Sequence, residues 1–483
     1  MPTPTDTVID IFTQINAIPR CSKNEAAVGR WLAAWADRHE MDKATDAAGN
    51  LVIRVPASPG FEQAPVIVLQ GHMDMVCEKT PDSDHDFDRD PIRVVRDGDW
   101  LRAERTTLGA DNGIALALAL FIAGDASIAH PPLELLFTVD EESGLIGASR
   151  LDPALIRGKV LINIDSEDDH IVTIGCAGGE EIRIRLALAY APAGDARSFY
   201  RITVGGLRGG HSGIDIHKPR ANANRLLGRL LGRLAADDDF RLVSLNGGSA
   251  HNAIPRDARA VVGLPAGQAA DLKETLARFQ AMLAEENGAS EPQLVIGCEP
   301  FSAAETPDAV IAPESAARAL ALLNALPHGV QGMSATVAGL VETSCNLAIV
   351  KTAEGCFDIT SSQRSLSMTR LEEINDRVRA VAALAGAEVT RMNHHPSWPP
   401  DPEAALLARC RAVYTRAFGE APVVEVIHAG LECGLIGAKV PGMEMISIGP
   451  TLRHPHSPDE KLFIPSIGQM LTLLEALLGS YRE

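Results

Sequence analysis

Three largely apolar runs in the first part of the chain, the first of them fully apolar, each lead into acidic or imidazole side chains, and this restricts what the chain can fold into. Residues 66–69 (Val-Ile-Val-Leu) lead to Gly71-His72-Met73-Asp74, and residues 133–139 lead to Asp140-Glu141-Glu142-Ser143-Gly144. Residues 161–164 lead to Asp165-Ser166-Glu167. Short, nearly continuous apolar runs suit strands covered on both faces. Between the first two runs, residues 113–123 read as a buried helix, entered through Leu108-Gly109-Ala110-Asp111-Asn112-Gly113. Strands alternating with helices predict an α/β sheet, and ligands of such sheets collect at the carboxyl ends of the strands. The polar residues all fall at those ends.

The rest of the chain is ordered around that sheet. Residues 8–39 carry apolar positions at helical spacing, split into two helices by Pro19, and residues 51–55 form a strand ended by Pro56. From about Glu180 the pattern changes to period-two alternation at residues 182–188 and 200–204, with helical stretches at 222–235, 268–286, 315–325 and 371–385. The Pro-rich passage His395–Pro402 marks a boundary, followed by a helix at 403–418, a strand at 443–448 and a terminal helix from Ser466. The expectation is one discontinuous domain, 1–179 with 396–483, holding a mixed, mostly parallel sheet flanked by helices. An α+β domain, 180–395, is inserted into it. A length of 483 residues agrees with two domains.

Composition excludes several classes. The formal net charge is −19 and no Lys/Arg block is long enough to follow phosphates, which argues against nucleic acid and anionic membranes as partners. The longest apolar stretch, residues 114–123, is too short to span a bilayer. Eight cysteines lie scattered with no Cys-x-x-Cys pair, which argues against a disulfide scaffold and for a reducing cytoplasm, and the N-terminus lacks the features of a secretory signal.

His72 and Asp74 are two apart, so in extended backbone they share a face; the imidazole suits zinc, and the carboxylate could bind metal or hold the other ring nitrogen. Asp111 has two oxygens with which to bridge two cations, or it caps the following helix. Three adjacent carboxylates at 140–142 repel one another unless cations offset them. One Glu can then bind metal while its neighbour takes a proton from water. Asp165 is the acid nearest its strand end. His456, preferred to His454 in His454-Pro455-His456-Ser457-Pro458, completes a set of two His and three or four carboxylates, which fits zinc, manganese or cobalt. In the inserted region, His211 sits in the glycine-lined Gly209-Gly210-His211-Ser212-Gly213. Asn252 offers an amide, and Arg364 a guanidinium that could clamp a carboxylate. Together the motifs point to a two-metal amide hydrolase.

These motifs, with Met75-Val76-Cys77-Glu78-Lys79, His85-Asp86-Phe87, His428-Ala-Gly-Leu-Glu-Cys-Gly434 and His456-Ser-Pro-Asp-Glu460, resemble the Xaa-His dipeptidases within the carboxypeptidase-G-like and aminoacylase-like metallopeptidases. The resemblance covers nearly the whole chain. It implies that His72 and Asp165 hold one zinc, Glu142 and His456 the other, and that Asp111 bridges them. It further implies Glu141 as general base and then acid, Asp74 as the partner that orients His72, and a cis Asp111–Asn112 peptide. His211 would stabilise the oxyanion, while Asn252 and Arg364 would bind the substrate's carboxyl end. Asp165, where the carboxypeptidase and deacylase branches usually carry Glu, favours the dipeptidase and aminopeptidase branches. The inserted domain, about twice the size of the simpler lids, resembles a doubled lid. A small peptide is the implied partner; a homodimer is compatible with the sequence, with His211 serving its own or a neighbouring site. The rival readings are a tripeptidase, an N-acyl amino acid deacylase, or a non-catalytic binding protein on the same fold.

Overall fold

The computed structural model describes residues 2–194, 197–236, 239–301, 307–335 and 337–482. They form two compact units, one comprising 1–176, 398–427 and 431–483, the other 177–397 and 428–430.

The first unit is built on an eight-stranded mixed sheet. Its order is Asp42–Thr45, Leu51–Val55, Leu133–Thr138, Ile67–His72, Val160–Asn163, Glu444–Ser447, Ile171–Cys176 and Val423–Ile427. The three strands whose ends lead to the His72, Glu142 and Asp165 motifs run parallel, with His72 opposite Thr138 and Gln70 opposite Asn163. Their carboxyl ends are therefore level, so the loops that leave these strands emerge at one edge. His72 is the last residue of its strand, one step inside the position its sequence suggests. Ile67–His72 and Leu133–Thr138 are buried at every position because both faces are covered. Leu69, Leu135 and Ile162 pack into one core with the helices Pro4–Asn16, Ala26–Arg38, Ala110–Gly124, Ala405–Phe418 and Ile464–Gly479. Their neighbours Val68, Leu136 and Leu161 pack into a second core with the helices Ile146–Arg150 and Glu432–Lys439. Residues one apart on a strand thus serve opposite layers.

The break around Pro19 is longer than one residue, since the helices on either side end at Asn16 and resume at Ala26. That irregular segment carries Cys21, which is disulfide-bonded to Cys77 with Cα atoms 5.8 Å apart. Scattered spacing gave no sign of this bridge, because it joins segments 56 residues apart that meet only in the fold.

Among its described residues the second unit holds a nine-stranded antiparallel sheet with four helices packed on it in one main core, and two small two-stranded sheets beside it. Its topology is a repeat. Arg197–Gly205, Arg241–Gly247, Ala258–Pro265 and Val295–Pro300 form a βαββαβ half in spatial order fourth, first, third, second. Gly178–Ala187, Val341–Ala353, Cys356–Ser365 and Glu388–His395 form another with the same order. Asn246 and Gly247 pair with Lys351 and Val350, fusing the two halves edge to edge. This is the doubling implied by the size of the insertion. Closing the two second strands against each other covers edges that each half would otherwise expose.

Candidate metal centre

Asp111 occupies the middle of the first unit's acidic cluster, and its two oxygens face different imidazoles. Oδ1 lies 3.0 Å from His72 Nε2, and Oδ2 lies 3.2 Å from His456 Nε2. His72 Nε2 is also 3.6 Å from Asp165 Oδ1, and His456 Nε2 is 3.0 Å from Glu142 Oε2. Two sets of three potential ligands result, His72-Asp111-Asp165 and Asp111-Glu142-His456, each with its ligand atoms within 4.8 Å of one another. His456 sits in sequence 345 residues from Asp111, yet the loop after Leu452–Arg453 brings it there; His454 does not join the group.

The turn carrying Asp111 is held by its backbone. The Glu460 carboxylate accepts the N–H groups of Leu108, Gly109, Ala110 and Asp111 at 2.7, 3.0, 2.8 and 3.2 Å. Leu108 and Gly109 precede the helix and Ala110 and Asp111 open it, so none of these N–H groups has an intrahelical partner, and one buried carboxylate at the positive end of the dipole satisfies them. The Asp111–Asn112 peptide is cis, and Asn112 ties the turn to two strands: its Oδ1 accepts from His72 N at 3.1 Å and its Nδ2 donates to the Ile164 carbonyl at 2.8 Å.

Asp74 faces away from this group. It is fully buried, lies 3.2 Å from His72 Nδ1, and accepts the N–H groups of Glu141 and Glu142 at 3.0 and 3.1 Å and the Ser22 hydroxyl at 2.8 Å. Burial works to raise its pKa, but His72 and these donors outweigh it and hold it at about 2. An ionised Asp74 keeps a proton on His72 Nδ1 and leaves Nε2 to point at Asp111 and Asp165.

The remaining acids are crowded. Burial, then repulsion from Glu142, Asp165 and Glu432, pushes Glu141 well above the usual carboxylate range despite His72 nearby. Burial and Asp111 raise Glu142, and burial with Asp111 and Glu432 close by raises Asp165 well above its ordinary value. For His456, burial opposes protonation, yet hydrogen bonds to Asp111 and Glu142 push it up to about 11. Carboxyls crowded so that their charged forms are disfavoured, beside an imidazole whose charged form is favoured, describe a cluster short of positive charge. Glu142 Oε1 is buried and makes no hydrogen bond. Donor chemistry, an unsatisfied buried oxygen and two sets sharing one carboxylate all fit a pair of divalent cations.

Sequence reasoning missed the supports beneath this cluster. Glu432, fully buried, accepts from Gln70 Nε2 at 2.5 Å and Thr138 Oγ1 at 2.6 Å, while Gln70 Oε1 accepts from Asn163 Nδ2 at 2.5 Å. This belt crosses three ligand-bearing strands. The available signals were polar residues within otherwise apolar strands and the place of Glu432 in the motif at 428–434.

In the second unit, His211, Asn252 and Arg364 are grouped. His211 pairs in register with Ala253, Ser212 N donates to the Asn252 carbonyl at 2.8 Å, and a Cβ on Gly213 would meet both His211 Cε1 and Arg364 Cδ at 3.2 Å. His211 Nδ1 accepts the N–H groups of Gly213 and Ile214 at 3.2 and 3.0 Å, which places the ring proton on Nε2. Arg364 is buried rather than on the surface.

Residues 68–480 match the family described as Peptidase family M20/M25/M40. The chain belongs to this metallopeptidase family. It is 39% identical over 469 residues to the cytosol non-specific dipeptidase of Escherichia coli, covering 97% of this chain and 96% of the relative. The aminoacylhistidine dipeptidase of Vibrio alginolyticus superposes with a TM-score of 0.85 at 40% identity, covering 99% and 96% of the two chains. A tripeptidase from Staphylococcus aureus shares the fold at 16% identity, with a TM-score of 0.57 over 99% and 98%. Among the described residues no helix is long and apolar enough to cross a membrane.

Proposed function

We propose that this chain hydrolyses dipeptides, Xaa-His dipeptides among them, as a two-metal peptidase with Glu141 as its general base. The observation that carries the reading is the division of Asp111 between His72 and His456, at 3.0 and 3.2 Å. His72, Asp111 and Asp165 would hold one divalent ion, and Asp111, Glu142 and His456 the other. Two imidazoles among carboxylates favour zinc, with manganese and cobalt as alternatives. Bound ions of this kind supply Lewis acidity toward the scissile carbonyl and lower the pKa of water.

Glu141 accepts a proton from the attacking water. It then returns that proton to the departing amine. Asp74 keeps His72 in one tautomer. His211, with its proton on Nε2, has a donor to offer the developing oxyanion. Arg364 and Asn252 suit the substrate's terminal carboxylate, by guanidinium and amide respectively. The first unit is on this reading catalytic and the second a lid. Cytoplasmic location is part of the same reading, supported by the name of the E. coli relative, with the Cys21–Cys77 bridge as the one feature that runs against it.

The test is purified protein loaded with zinc, manganese or cobalt and assayed on Xaa-His dipeptides, other dipeptides, tripeptides and N-acyl amino acids. Metal-dependent cleavage concentrated on dipeptides supports the proposal. Turnover concentrated on tripeptides or N-acyl amino acids would replace it with one of the rival activities.

A further inference from the structure

Arg20 is 1% exposed and lies in the irregular segment between the first two helices. Its Nη1 donates to the carbonyls of Met73 and Asp74 at 3.1 and 2.8 Å. Its Nη2 donates to the Gly109 carbonyl and, at 3.2 Å, to Asn16 Oδ1. One planar group therefore ties the backbone just after His72 to the backbone just before Asp111. Around it, Arg20's own carbonyl accepts from Met75 N at 3.2 Å, and Asn16 Nδ2 donates to the Leu108 carbonyl at 2.9 Å.

The glycines of Gly109-Ala-Asp-Asn-Gly113 give a second, independent sign. A Cβ at Gly109 would come within 2.6 Å of Arg20 Nη2, and a Cβ at Gly113 would come equally close to the same atom, 2.6 Å. Gly109 is also required by its φ of 69°, but nothing in its backbone conformation demands glycine at 113. The space at Gly113 is reserved for the guanidinium, with the Phe12 ring next nearest at 3.1 Å.

We propose that Arg20 is a positioning residue of the metal centre, fixing the distance between His72 and Asp111 through the backbone of both turns. The claim rests on the reading that these two residues share one metal ion. Arg20 touches no substrate, since it is enclosed; its effect passes through the turns. Arginine suits the task because its fork presents several donors in one plane, whereas an ammonium on a flexible stem cannot hold the Met73, Asp74 and Gly109 carbonyls in fixed geometry. Its charge also lies among Glu460, Asp74, Asp111 and Glu142, and burial lowers its pKa only to about 10, so it stays protonated at neutral pH.

The test uses the full-length protein and cobalt(II) or zinc alone as probe, with affinity read by competition against a chromophoric chelator and geometry by the cobalt d–d spectrum. Arg20→Met is expected to weaken metal binding about 10- to 100-fold. It should also shift the cobalt bands and lower kcat while KM moves little. Arg20→Lys should recover part of the affinity and little of the kcat. Gly113→Ala should weaken binding at least about 10-fold in the wild-type background and by under about 3-fold in the Arg20→Met background, since the closest clash is then relieved and the Phe12 ring remains as the near contact. Should Arg20→Met fail to fold, Arg20→Lys and Gly113→Ala carry the test. An unchanged affinity and spectrum in the Arg20 variants overturns the proposal, as does a Gly113→Ala defect of equal size in both backgrounds. Absence of metal binding by the wild-type protein would instead overturn the two-metal reading itself.

Discussion

Replacing Asp74 by asparagine isolates the role of a carboxylate that touches no substrate. In the native protein its four contacts are His72 Nδ1, the N–H groups of Glu141 and Glu142, and the Ser22 hydroxyl. Oδ1 serves His72 and Glu141, and Oδ2 serves Glu142 and Ser22. An amide retains one acceptor oxygen. With that oxygen toward His72 and Glu141, its NH₂ faces the Glu142 N–H, while Ser22 can turn its hydroxyl to accept. One buried N–H is then stranded, at a cost of about 1–3 kcal/mol. The ionised form is also lost: a pKa held at about 2 corresponds to about 2 kcal/mol of stability, present above about pH 4 and lost as pH falls through 2. Because the stranded N–H belongs to a proposed ligand and His72 loses its charged partner, metal affinity should fall about 10- to 100-fold. Chelator competition reads the affinity, and thermal unfolding of the metal-free protein reads the stability. If the Asp74→Asn variant binds zinc within about twofold of wild type and keeps its turnover, the orienting role assigned to Asp74 is wrong.

Other consequences are equally direct. Glu141→Gln should lower kcat by about 10²- to 10⁴-fold while leaving metal content intact, as measured by elemental analysis; near-normal turnover would remove Glu141 from its role. His328 Nδ1 accepts from Leu347 N and Asn222 Nδ2, both at 3.3 Å, and burial, aided by Arg225, lowers its pKa to about 3. The unfolded chain takes up that proton near pH 6.5, so stability should decline as pH falls below this value, by about 2 kcal/mol at pH 5. His328→Gln should flatten that decline in denaturant unfolding. Reducing Cys21–Cys77, which closes a loop 56 residues long, should lower the first unit's stability by about 2–4 kcal/mol, seen as a lower midpoint with reductant than without.

The sequence by itself determined the elements and the ligand types. Largely apolar runs leading to His72, Asp140–Glu142 and Asp165 could be read as strands whose tips bear chemistry, because burial on both faces leaves a local signature in one dimension. The size of the insertion likewise signalled its doubling. Pairing through space was decided only by the tertiary structure. Parallel register sets His72 opposite Thr138, and a loop 345 residues from Asp111 delivers His456 rather than His454. Glu432 and Glu460 stood in motifs that carry the resemblance but gave no sign of what they hold, and Arg20 gave no signal at all. A lone charged residue in a helix break, an apolar stretch or a Pro-rich loop reads as solvent-facing, and only packing shows that it is enclosed. Their value lies in backbone groups they satisfy from distant segments, and periodicity along the chain does not encode such long-range hydrogen bonds.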